Sequence, residues 1–174
     1  MKDPIRRVLS HESPLLDKTV LVVDDEPDVL DTVAEELDMC LIHKAGDYDT
    51  AVQYLVSYTY DIVILDIMGV NGFELLRRSV SRGFPTVMVT AHALSVESLK
   101  KSIKLGAVFF LPKEKLTELT RFLEEVVLGG NKPIWLKLFA RLGNYFDKRF
   151  GPDWKERDIF LREFEEALKK DQNG

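Results

Sequence analysis

The 174 residues predict an α/β fold, a doubly wound five-stranded parallel sheet followed by a C-terminal αα-hairpin. Three observations carry this. Short apolar-rich runs recur five times, and in residues 62–65 the run is unbroken, the pattern of a strand buried on both faces. After each run comes a segment with apolar residues at three- and four-residue spacing, the pattern of an amphipathic helix. Alternation of this kind builds a parallel sheet covered by helices on both sides.

Residues 1–17 read as a polar leader containing Pro4 and Pro14. The first strand is TVLVV, residues 19–23, and it runs into Asp24 and Asp25. Pro27 suits the first turn of a helix, with Asp28 beside it and Val29, Leu30, Val33 and Leu37 as the apolar stripe. A second strand is expected near residues 40–43, then a helix from Asp47 or Asp49 through Ala51, Leu55 and Val56. Strand three is IVIL, residues 62–65, closed by Asp66. A helix over residues 73–80, a strand over 86–90 and a helix over 95–105 that stops at Gly106 follow. The fifth strand is VFFL, residues 108–111, and the fifth helix spans residues 116–128.

Composition narrows the function. At 45% hydrophobic and 30% charged, the chain can bury a sizeable core. Its one cysteine, Cys40, excludes an intramolecular disulfide and fits a reducing cytosol, so a cytoplasmic location is expected. No stretch approaches the roughly 20 apolar residues that span a bilayer, so no membrane insertion is expected. Residues 1–130 hold 14 Lys plus Arg against 21 Asp plus Glu, and residues 131–174 hold 10 against 8. The shift falls at Gly129-Gly130-Asn131-Lys132-Pro133, a glycine–proline break. The chain is therefore divided into a leader (1–17), an α/β domain (18–130) and a helical extension (131–174).

The unusual polar residues fall at strand ends. Asp24 and Asp25 close strand one, Asp66 strand three and Thr90 strand four, while Lys113 lies two residues past strand five. Ligands in open α/β sheets bind outside the carboxyl ends of the strands. An ionised Asp66 on a buried strand needs an opposing charge. Three carboxylates gathered there raise one another's pKa, and a divalent cation relieves the repulsion. Donors that are oxygen only favour a hard ion, Mg²⁺. Lys113 and the Thr90 hydroxyl fit the oxygens of a phosphoryl group carried on Asp66. Taken singly, each residue also has a plainer use. Asp24 or Asp25 could cap the helix at Pro27, Thr90 could bond to backbone, and Lys113 could be a solvated lysine. His92 reads as a loop histidine.

The motifs VVDDE (22–26), LDIM (65–68), VTA (89–91) and FFLPK (109–113), in this order and spacing, resemble the response-regulator receiver domain of two-component signalling. The resemblance covers about residues 18–128 and implies a flavodoxin-like strand order, 2-1-3-4-5. It implies Asp66 as phosphoacceptor, Asp25 and Asp66 as direct Mg²⁺ ligands, Asp24 holding the metal through water, and the backbone carbonyl of Met68 as a further ligand. Thr90 would be the switch hydroxyl, Lys113 the phosphate-binding lysine and Phe110 the aromatic switch residue, for which core packing is the alternative. The implied partner is a sensor histidine kinase or a histidine phosphotransfer protein, and the implied role is that of a phosphoacceptor regulator, not an enzyme. Two departures stand out. The loop DIMGVNG brings Gly72 six positions after Asp66, two fewer than the family's usual eight, and lacks its proline. The order Pro112-Lys113 inverts the family's Lys-Pro, with Lys115 as a nearby alternative lysine. A receiver-like adaptor that works without phosphate, its pocket disabled by the short loop, is the rival reading.

Beyond the break, Ile134, Trp135, Leu138, Leu142, Tyr145, Phe146 and Arg149 form one stripe ending near Phe150. Gly151-Pro152 interrupts it, Asp153 is placed to cap the next helix, and Phe160, Leu161, Phe164 and Leu168 form the second stripe. Two helices this short cannot bury both stripes against each other. They must pack on the α/β domain, on a second copy or on a downstream protein. Interspersed acids argue against DNA binding.

Overall fold

The computed structural model describes residues 13–173. Residues 1–12, and with them most of the expected leader, lie outside the described residues. Five parallel strands, β1 (Thr19–Val23), β2 (Leu41–Ala45), β3 (Ile62–Asp66), β4 (Thr86–Thr90) and β5 (Phe109–Pro112), form one sheet in the order 2-1-3-4-5. The order reverses between β1 and β3, so their carboxyl ends flank a crevice. The central strands β3 and β4 are buried at every residue, which is why β3 reads as an unbroken apolar run up to Asp66 and β4 as one between Thr86 and Thr90.

Five helices connect and cover the strands: α1 (Pro27–Glu36), α2 (Tyr48–Ser57), α3 (Gly72–Ser81), α4 (Val96–Lys104) and α5 (Leu119–Leu128). Thr120 on α5 donates to the Glu36 carbonyl of α1, joining the two helices on one face. On the other face α2 packs on α3, and the Lys101 ammonium of α4 lies 4.5 Å from the centre of the Phe73 ring of α3. Local chemistry sets the starts. Asp47, not Asp49, caps α2 by accepting from the Thr50 N–H at 2.8 Å. Ser95 and Ser98 form a reciprocal capping box at α4.

Some boundaries differ from the sequence-based expectations. β2 begins at Leu41, because Cys40 turns back to bond through its own N–H to Leu37. Residues Lys113–Glu118 form a 3₁₀ turn before α5, so that helix starts three residues later than its apolar periodicity suggested.

The extension consists of α6 (Trp135–Phe150) and α7 (Ile159–Asn173). It packs on the sheet domain. The Ile134 N–H donates to the Val108 carbonyl at the foot of β5, and Arg141 on α6 pairs with Glu125 on α5 at 2.9 Å. Trp135, Leu138, Phe139, Leu142 and Phe146 are buried in a core continuous with that of the sheet. The hairpin thus straddles edge strand β5, with α6 against α5 and α7 against α4. Arg149 is exposed, and the apolar stripe passes to Phe150 instead. Asp153 does not cap α7. Residues 152–157 form a further turn, Asp153 pairs with Arg157, and Asp158 accepts from the Leu161 N–H at 3.0 Å.

Candidate functional site

The carboxyl ends of β1, β3 and β4 deliver Asp24, Asp66 and Thr90 to one rim of the sheet, and all three are buried. Each lies where a buried strand ends, so the strand itself holds the polar group in place. Asp24 is fixed twice: its N–H donates to the Ala45 carbonyl, and its Oδ1 accepts from the Glu26 N–H at 2.9 Å. Thr90 Oγ1 accepts from the Ala93 N–H at 3.0 Å, which leaves its own hydrogen free to donate. Phe110 is fully buried in β5, opposite Met88 of β4.

Lys113 sits at the centre. Its side chain is only 10% exposed, and its Nζ lies 2.9 Å from Asp24 Oδ2, 3.3 Å from Glu26 Oε1 and 3.7 Å from Asp66 Oδ2. The inverted Pro112-Lys113 order does not displace it. Pro112 is the last residue of an edge strand, where a missing N–H is tolerated, and Lys113 follows into the pocket. Lys115 points elsewhere, its ammonium 5.3 Å from the centre of the Tyr145 ring.

Electrostatically the pocket is short of positive charge. Burial pushes the Asp66 carboxyl up to about 6, and the neighbouring Asp24 adds to this against the opposing pull of Lys113. Burial also raises Asp24 above the ordinary carboxylate range, although it is the closest partner of Lys113. For Lys113 burial works toward neutrality, but its bond to Asp24 and the charges of Asp66 and Asp24 outweigh it and hold the ammonium charged.

Carboxylate oxygens of Asp24, Asp25 and Glu26 can be drawn from within 4.8 Å of one another. They are hard donors only, close enough to converge on one cation, and they suit Mg²⁺. Glu26 has no place in the sequence-based assignment. Its signal was the third acid in Asp24-Asp25-Glu26, and the fold turns it toward both Lys113 and His92, whose Nε2 lies 3.9 Å away.

The short loop after Asp66 closes tightly. Gly69 has φ +85°, and a Cβ there would collide with the Asp25 carboxylate. A Cβ at Gly72 would strike the Asp66 carbonyl. The short loop is thus accommodated by backbone lying directly on the two aspartates, which only glycine permits. The Met68 side chain is exposed beside them.

A five-stranded 2-1-3-4-5 sheet whose acidic rim gathers around one largely shielded lysine has the architecture of a receiver-type α/β domain. The family model for the response regulator receiver domain matches residues 20–124, and the chain belongs to that family. Among curated proteins it is 28% identical over 103 residues to the response regulator GtcR of Aneurinibacillus migulanus, covering 56% of this chain and 42% of that protein. It is 32% identical over 139 residues to a two-component response regulator of Arabidopsis thaliana, covering 76% of this chain but 21% of that protein. The chain therefore spans less than half the length of either. A response regulator of Thermotoga maritima superposes with a TM-score of 0.58 at 23% identity, over 64% of this chain and 98% of that one. The receiver domain of NtrX from Brucella abortus gives 0.52 at 29%, over 61% and 98%. Among the described residues no helix is long and apolar enough to cross a membrane.

Proposed function

We propose that this chain is a cytoplasmic phosphoacceptor of a two-component phosphorelay, in which Asp66 takes a phosphoryl group from a phosphohistidine in a Mg²⁺-dependent reaction. Residues 18–130 form the receiver unit and residues 131–174 an extension of it. The observation that carries the reading is the buried Asp66 carboxylate at the end of β3, 3.7 Å from a lysine already shared with two other acids.

Each residue has a part that follows from its chemistry. With its carboxyl pushed up to about 6, Asp66 is ionised at neutral pH yet more basic than an ordinary aspartate, which favours it as a nucleophile. One of its oxygens forms a bond to phosphorus as the bond from phosphorus to the imidazole nitrogen breaks. The phosphoimidazole carries a proton on its other ring nitrogen, so the released imidazole leaves as the neutral base. Lys113 neutralises a phosphoryl oxygen by exchanging part of its contact with Asp24, and Thr90 donates its unused hydrogen to another. Asp24, Asp25, Glu26 and Asp66, with the Met68 carbonyl, would hold Mg²⁺, which supplies charge neutralisation between phosphate and carboxylates. The partner upstream is a sensor kinase or a histidine phosphotransfer protein. Output is by protein contact, and the protein acts as a regulator, assisting at most its own phosphorylation and dephosphorylation.

The test is intact-protein mass after incubation with acetyl phosphate, with and without Mg²⁺, beside Asp66→Asn. A single Mg²⁺-dependent phosphate adduct, lost in the variant, is the expected result. No adduct, from acetyl phosphate or from phosphorylated kinases, overturns the reading. That result would favour a phosphate-independent adaptor, for which the close packing of Gly69 and Gly72 on Asp25 and Asp66 is the supporting observation.

A further inference from the structure

The two helices of the extension are held in different ways. α6 buries five large side chains in the common core. Among the described side chains of α7 only Leu161 is fully buried, while Phe160, Phe164 and Leu168 are partly buried against the edge of the core. An open groove of about 580 Å³ runs between α7 and the body, lined by Ile103, Trp135, Phe164 and Leu168. What fastens α7 to the sheet domain lies at its start. Lys100 Nζ on α4 bonds to Asp158 Oδ2 at 2.8 Å, with both side chains less than a fifth exposed. One turn further along α4, the Lys104 ammonium sits 4.6 Å from the centre of the Phe160 ring. Gly151, at φ +100°, gives the chain a sharp turn ahead of this joint.

α4 is also tied to the phosphoacceptor pocket through a run of hydrogen bonds. Thr90 Oγ1 accepts from the Ala93 N–H, and the Ala93 carbonyl accepts from Ser98 Oγ, a member of the capping box that starts α4. Ser102 Oγ continues the run by donating to the Ser98 carbonyl. A second tie comes from the short loop: Phe73 follows Gly72, and its ring holds Lys101 of α4. Lys100 lies between these anchors.

We infer that α7 is a latch on α4, and that loading the Asp66 pocket with a phosphoryl group loosens it. The inference rests on the proposed reading of the pocket. A phosphoryl oxygen that recruits the Thr90 hydroxyl draws the Ala91–Leu94 segment with it and disturbs the cap of α4. Displacing α4 separates Lys100 from Asp158 and Lys104 from Phe160, whereas α6, anchored in the core, stays in place. α7 then swings from the groove and exposes Phe160, Phe164 and Leu168. By thermodynamic reciprocity, a broken latch makes the pocket easier to load.

The test uses the full chain with beryllofluoride plus Mg²⁺, a non-covalent phosphoryl mimic, binding being followed by fluorine NMR and motion by amide hydrogen exchange. Saturation should speed exchange across residues 159–172 by about fivefold or more while α6 is unchanged. Asp158→Asn is the informative variant. An asparagine still caps α7 by accepting from the Leu161 N–H, but the charge facing Lys100 is gone. It should show fast α7 exchange without ligand and bind beryllofluoride about fivefold more tightly. Lys100→Gln should do the same from the other side. Binding that leaves α7 exchange unaltered overturns the latch and spares the pocket. Failure to bind overturns the reading of the pocket and the latch with it.

Discussion

Lys113 and Lys100 are the same side chain, each less than a fifth exposed, and they sit in opposite electrical circumstances. Lys100 meets one close acid, Asp158, with the solvated Glu97 beyond at 3.6 Å. Charge there is matched: the Lys100 hydrogen bond holds the Asp158 carboxyl below its ordinary range, and Asp158 in turn lifts Lys100. Lys113 alone faces Asp24, Glu26 and Asp66, with Asp25 beside them. Burial there drives the Asp24 and Asp66 carboxyls up. A matched pair holds a structure together. A pocket left short of positive charge holds free energy that a cation or a change of bonding can release, and this supports the proposed phosphoacceptor reading.

The sharpest way to break the contrast is to delete each lysine. Lys113→Ala, with Mg²⁺ chelated, leaves Asp24 and Asp66 buried without a counter-charge and should lower unfolding stability by about 3–5 kcal/mol at neutral pH. Lys100→Ala should cost much less, since Asp158 can turn to water. Urea denaturation of the two variants checks the difference. Equal losses would erase the distinction.

Mg²⁺ sharpens it next. At a hundred times its dissociation constant the ion should stabilise the wild type by about 2.7 kcal/mol, measured as a shift of the unfolding midpoint. Asp25→Asn should lose most of this gain.

Asp66→Asn, again without Mg²⁺, should raise stability on the order of 1–3 kcal/mol at neutral pH by removing an ionised carboxylate that the fold disfavours. The sign with pH follows from the raised carboxyl. Folded protein binds the Asp66 proton more tightly than unfolded chain does, so between about 6 and the ordinary value of 3.8 this group favours folding more as pH falls. The gap between wild type and Asp66→Asn should therefore narrow as pH drops through 6. A gap that widens there contradicts the assignment.

The smallest effect is Gly69→Ala. It forces a side chain into a left-handed position against Asp25, for about 1 kcal/mol of stability, and weakens Mg²⁺ binding more than that loss implies.

Much of this was legible from the chain alone. Asp66, Asp24 and Thr90 announce themselves because each ends an apolar run, and a parallel strand buried on both faces tolerates a polar side chain only at its end. Lys113 was legible by its distance from strand five, even with the proline on the wrong side. Glu26 was not, because an acid before a helix looks like ordinary helix-start chemistry until the fold brings Lys113 within 3.3 Å across 87 residues of sequence. Asp153 was misread for a related reason. Cap chemistry says which residues could start a helix, and the turn over residues 152–157, with Trp154 buried against Phe146, decided that Asp158 does. The short loop was visible as a count of residues, but its closeness to Asp25 was not.

By itself, then, the sequence determined the strands, their polar ends and the amphipathic helices, since burial and hydrogen bonding act on neighbours in the chain and leave a periodic trace. Tertiary structure alone decided where the extension lies, which acids share Lys113, and that Lys100 meets Asp158 across 58 residues. Those contacts join side chains far apart in sequence, and no local pattern encodes which distant partner a buried charge will find.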